Sequence, residues 1–104
     1  MRRGFARNGF ASLAVAIVSA AHAADAELGG KIAERWCAQC HVVSQTQQHA
    51  NVDVPSFAAI GRDPALDENK LANFLKIPHP KMPDMSLTRA EIDNLVAYIR
   101  AQAN

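Results

Sequence analysis

The sequence is poor in the features that make most functions readable. Only two of its 104 residues are cysteine, so no framework of several disulfides can hold it. No segment alternates polar and apolar residues for long, which leaves little room for a strand-rich architecture. The apolar stretch from Phe10 to Ala21 falls short of the roughly 20 residues a membrane span needs. There is no internal repeat and no low-complexity tract. A formal net charge of +1 offers nothing to a nucleic acid. No phosphate-binding loop, nucleophile or general base stands out, so the sequence predicts no catalysis of its own.

What is present begins with an export signal. Arg2, Arg3 and Arg7 form a positive n-region, Phe10 to Ala21 a short apolar region, and Ala21-His22-Ala23 a small-x-small cleavage site. This order is that of a secretory signal peptide over residues 1–23, leaving residues 24–104 as one small domain and a periplasmic location for it. Residues 24–104 carry eight Lys/Arg against ten acids, a formal charge of −2, so the positive balance of the whole chain comes from the signal. A domain this short buries too little surface to be stable without a staple.

The run Cys37-Ala38-Gln39-Cys40-His41 supplies one. Cys-x-x-Cys-His is the attachment signature of a c-type haem. The three-residue offset puts both thiols on one side of the chain, about one helical turn apart, where they can add across the two haem vinyl groups. His41 follows at once, so its imidazole approaches the iron from the same side. Both thiols of the protein are then used, and a buried porphyrin becomes the apolar body around which short helices pack.

The remaining apolar residues fall on helical spacing. Leu28, Ile32 and Trp36 recur every fourth residue after Asp25, which is placed to cap a helix ending in the Cys-x-x-Cys-His run. Residues 42–54 are polar and aperiodic, a loop. Pro55 to Ile60 fits a short helical turn before Gly61. Asp67 precedes a stripe of Leu71, Phe74 and Leu75, with Leu66 placed to staple onto Leu71, and Pro78 and Pro80 end that helix. His79 to Met85 is a stiff, proline-rich loop. Thr88 and Glu91 then form a capping box, Leu87 and Ile92 its staple, and Ile92, Leu95, Val96 and Ile99 a buried stripe with Tyr98 beside it. Trp36, Phe57, Phe74 and Tyr98 read as core, and Lys76 and Lys81 as solvated surface beside the loop.

His41 fills one axial position of the iron, and Met82, Met85, His49 and His79 are the candidates for the other. A thioether is soft and favours reduced iron, as in His/Met-ligated cytochromes. The chain resembles the class I monohaem cytochrome c family over essentially all of residues 24–104. The resemblance rests on Gly29, Ala33 and Cys37 at four-residue steps, on Cys37 to His41, on Met82-Pro83, and on the ending Leu95-Val96-Ala97-Tyr98-Ile99. It implies an all-α fold wrapped around one covalently attached haem c. Cys37 and Cys40 would be the tethers and His41 and Met82 the axial ligands, with Met85 at a packing position. It also implies a helix crossing in which Gly29 meets Leu95 and Tyr98. Pro55 matches a proline whose neighbourhood orients the proximal imidazole, although here a longer loop separates it from His41. Ala33 departs from the family, where an aromatic is common.

The function so implied is a soluble periplasmic electron carrier that passes single electrons between redox proteins such as a dehydrogenase, an oxidase or another cytochrome. It would act as a monomer or as a subunit of a redox complex. Three other readings use the same residues. A haem-based ligand sensor would leave Met82 off the iron. A copper-handling protein would use Cys37, Cys40, His79, Met82 and Met85 as soft ligands without haem. A thiol–disulfide oxidoreductase would use Cys37 and Cys40 alone.

Overall fold

The computed structural model describes residues 4, 9–17, 23–50, 53–77, 82 and 84–104. These form four helices, α1 (Ala26–Trp36), α2 (Phe57–Arg62), α3 (Glu68–Lys76) and α4 (Arg89–Ala101), with no strand among the described residues. Arg2, Arg3 and Arg7 of the expected signal and Ala21-His22 of its expected cleavage site lie outside the described residues, as do Pro78, His79, Pro80, Lys81 and Pro83.

Each helix starts where a side chain satisfies its orphan N–H groups. The Asp25 carboxylate accepts from the N–H groups of Glu27 and Leu28 at 2.9 and 3.2 Å. Asp67 does the same for Asn69 and Lys70 at 2.9 and 3.1 Å. Ser56 caps α2 through its hydroxyl, which accepts from the N–H of Ala59. The Thr88 hydroxyl accepts from the Glu91 N–H at 3.2 Å and donates to the Glu91 carboxylate at 3.1 Å, so this capping box closes through the hydroxyl. The helix after Pro55 continues past Ile60 to Arg62 and takes in Gly61.

Helix α4 is the element on which α1, α2 and α3 all pack. Its stripe of Ile92, Leu95, Val96 and Ile99 is buried as its spacing predicts. The face of α1 turned to it is not the one its large residues suggest. Gly29, Gly30 and Ala33 are the buried residues of α1, while Leu28 and Trp36 are 47% and 43% exposed. A Cβ at Gly29 would collide with the Asn94 carbonyl and come within 2.9 Å of Tyr98 Cβ. Only glycine allows the two backbones this close, and that approach leaves Leu28 and Trp36 exposed while Ile32 still packs against the core. Trp36 is not packed in the protein core: it lies beneath the Arg35 guanidinium, 5.1 Å from the ring centroid, and its reading as a haem contact remains an expectation. Phe74 is likewise 52% exposed, while its stripe partners Leu71 and Leu75 pack against the core.

Ser86 precedes α4 in the left-handed region at φ 49°, with its N–H donating to the Asp84 carboxylate at 2.9 Å. On either side of it, Met85 and Leu87 both pack against the core. Arg100 on α4 pairs with Glu68 on α3 at 3.0 Å, a solvent-exposed contact of small energetic weight.

Candidate functional site

The site is built on the last turn of α1. The Cys37 N–H donates to the Ala33 carbonyl at 2.9 Å, and the Cys37 carbonyl in turn accepts from Cys40 at 3.2 Å and His41 at 2.8 Å. The chain thus makes one more helix-like turn after Trp36 and delivers both thiols and the imidazole within it. The thiols are unbridged, Cys37 buried and Cys40 exposed. Burial, and then the neighbouring Cys40, push the Cys37 thiol up to about 11. A thiol held neutral in this way is a weak nucleophile in the folded chain. It is the reverse of the depressed pKa that a thiol–disulfide oxidoreductase needs.

The His41 ring is oriented from behind. Its Nδ1 lies 2.7 Å from the Pro55 carbonyl oxygen, which can only accept, so Nδ1 carries the proton and donates. In the neutral ring the free nitrogen is then Nε2, the tautomer a metal-ligating imidazole requires. A second bond, from the Phe57 N–H to the Val42 carbonyl at 2.9 Å, closes the neck of the same loop. The long insertion between His41 and Pro55 therefore leaves their pairing intact. Phe57 packs against the His41 ring with centroids 5.3 Å apart, and Tyr98 meets Phe57 edge-on at 6.3 Å. The Tyr98 hydroxyl donates to the Val43 carbonyl at 2.7 Å. Burial, with the Glu34 carboxylate second, holds that hydroxyl above the ordinary tyrosine range.

Gln47 is a residue of this site with no signature in the sequence. Its side chain reaches back from the loop to the backbone of residues 38, 41 and 43. A glutamine in a polar, aperiodic segment has nothing to mark it out, because its partners are backbone groups.

Met82 is half-buried in the loop before α4, and the prolines and lysine beside it lie outside the described residues. Met85 instead packs against the core. His49 is exposed, and its carbonyl accepts from Gln47 at 3.1 Å. Two unbridged thiols, one imidazole of fixed tautomer and a half-buried thioether in a separate loop fit the needs of a covalently held, His/Met-ligated haem. A cleft of about 610 Å³ opens between residues 23–24, α3 and α4, but Glu68, Asn69, Arg89, Asp93 and Asn94 among its lining residues bring no thiol, imidazole or thioether. No helix among the described residues is long and apolar enough to cross a membrane.

Comparison with known proteins gives two matches. Residues 24–99 match the family model described as cytochrome c oxidase, cbb3-type, subunit III. Over 81 residues the chain is 53% identical to a protein of Bradyrhizobium diazoefficiens named cytochrome c-552, covering 78% of each chain. No solved structure matches.

Proposed function

The chain belongs to the c-type cytochrome family, and from that premise we propose that it is an exported, periplasmic single-electron carrier. In this reading one haem c is tethered by Cys37 and Cys40 and held axially by His41 and Met82. Membership makes it an electron carrier rather than an enzyme, with haem as its cofactor. When bound, that haem supplies the one-electron chemistry, and the protein supplies tethering, ligands and burial.

The observation that carries the reading is the bond from His41 Nδ1 to the Pro55 carbonyl, because it fixes the ring and leaves Nε2 for the metal. Cys37 and Cys40 stand on the same turn, and the thioether comes from a loop remote in sequence. Met82 is favoured over Met85 because Met85 is already engaged with the core. The division into a signal at 1–23 and a domain at 24–104 is supported by a family match that starts at residue 24. Its partners are other redox proteins: a dehydrogenase, an oxidase or a second cytochrome. The copper-handling reading requires the same two thiols that the haem family uses as tethers.

Optical spectroscopy of the exported protein tests this. Colour should stay with the polypeptide through acid–acetone extraction. The ferric far-red band and low-spin spectrum should be lost in Met82→Ala and kept in Met85→Ala. Colour that leaves the chain refutes covalent attachment. A low-spin spectrum that survives Met82→Ala removes Met82 as the ligand and revives the ligand-sensor reading.

A further inference from the structure

Within the described part of the loop between His41 and Pro55, the Gln47 side chain reaches back to the Cys-x-x-Cys-His run. The carboxamide of Gln47 is half-buried, and all of its polar atoms are engaged with backbone. Its Oε1 accepts from the Val43 N–H at 2.9 Å. Its Nε2 faces the carbonyls of Ala38 at 2.9 Å, His41 at 2.9 Å and His49 at 3.1 Å. The orientation of the amide follows from its partners. Turned over, it would set an oxygen against three carbonyls and a nitrogen against an N–H. Two of those carbonyls, Ala38 and His41, belong to the Cys-x-x-Cys-His run itself. In the regular helix they would accept from residues four places on, but the chain leaves the helix at this turn and those partners are gone.

We propose that Gln47 is a positioning residue for the proximal ligand, clamping the backbone of the haem-attachment turn so that the His41 ring keeps one orientation. The proposal rests on His41 being the iron ligand. The ring is held at its Nδ1 by Pro55, yet one hydrogen bond lets an imidazole swing about the line joining the two atoms. The backbone that carries it must be fixed as well, and Gln47 grips it at the His41 carbonyl and two residues on at the Val43 N–H. Tyr98 holds the other side of residue 43 through its carbonyl. An ordered turn of this kind keeps the ligand plane the same in both oxidation states, which is what rapid electron exchange needs.

The test uses holoprotein with its haem attached. In the unaltered protein, NMR should show the Gln47 carboxamide protons and the Val43 N–H protected from solvent exchange. Exchange at the rate of an exposed glutamine overturns the proposal without any variant. Gln47→Glu keeps the shape and the acceptor and loses the donors, while Gln47→Leu loses both. Losing the partner of Val43 should speed exchange of that N–H in Gln47→Leu by roughly five- to tenfold. In both variants the haem-methyl shifts of the oxidised protein, which report the axial ligand plane, should redistribute, and the midpoint potential should fall. Unchanged shifts and potential in either variant that retains its haem overturn the role of Gln47 and leave His41 ligation standing. A low-spin spectrum that persists in His41→Ala instead refutes the ligand reading itself, so the two failures are distinguishable.

Discussion

Cys37 and Cys40 differ in environment although three residues separate them. Cys40 is exposed, while Cys37 is buried with its pKa pushed to about 11. At pH 8 a thiol of that pKa holds roughly a hundredth of the thiolate of an ordinary cysteine. Iodoacetamide should therefore label Cys40 first in the folded, haem-free chain. Labelling of Cys37 should lag behind and rise as the pH approaches 11. Peptide mapping after timed quenching reads both sites, and equal rates would show that Cys37 is not sheltered. In the haem-loaded protein neither site should react. The residues with unusual chemistry were legible in the sequence: two thiols and an imidazole in fixed order leave a pattern. Pro55 and Gln47 act through or upon backbone groups. The first could be placed by resemblance alone, and the second left no signal.

Helix α1 shows what periodicity can and cannot reveal about an element. Its start, its cap at Asp25 and its end at the Cys-x-x-Cys-His run follow from sequence. Its buried face does not, because hydrophobic spacing gives most weight to Leu28, Ile32 and Trp36, whereas the contact with α4 is made by Gly29, Gly30 and Ala33. Small residues add little to an apolar pattern and decide how near two backbones come. The crossing is also pinned by polar contact, since the Asp25 N–H donates to Asn94 Oδ1 at 2.7 Å. Gly29→Ala should destabilise the holoprotein by about 2 kcal/mol or more, because its Cβ meets the Asn94 backbone, which cannot yield locally. Gly30→Ala meets the edge of the Tyr98 ring at 2.9 Å, which can turn away, and alanine recovers about 1 kcal/mol of helix propensity. Its net effect should be small. In a domain of this size each kcal/mol moves the thermal midpoint by roughly 4–8 °C, so circular dichroism melts resolve the two. Similar losses in both would mean that the crossing has room for a Cβ at Gly29.

At the scale of the molecule, the described residues 9–17 take no part in the helical fold. Phe10, Leu13, Val15 and Ile17 are large, apolar and at least 78% exposed, whereas the core is drawn from residues 33–99. Four apolar side chains left in water are a cost without return for a protein that keeps them, and they fit the proposal that this segment is cut away after export. The core they fail to join is itself thin. Among the described residues eight hydrophobic ones are buried, one of them the thiol-bearing Cys37, and in the proposed function the staple for a domain of this size is the haem joined there. Export, cleavage and attachment should accordingly appear together. Protein recovered from the periplasm should begin at Ala24, and its intact mass should equal residues 24–104 plus one haem. Expressed without residues 1–23 and so kept in the cytoplasm, the chain should carry no covalent haem. It should also melt at a lower temperature than the exported form. An exported protein that retains Phe10 to Ile17, or whose mass corresponds to no haem or to two, would break the link between the tail, the tether and the stability of the fold.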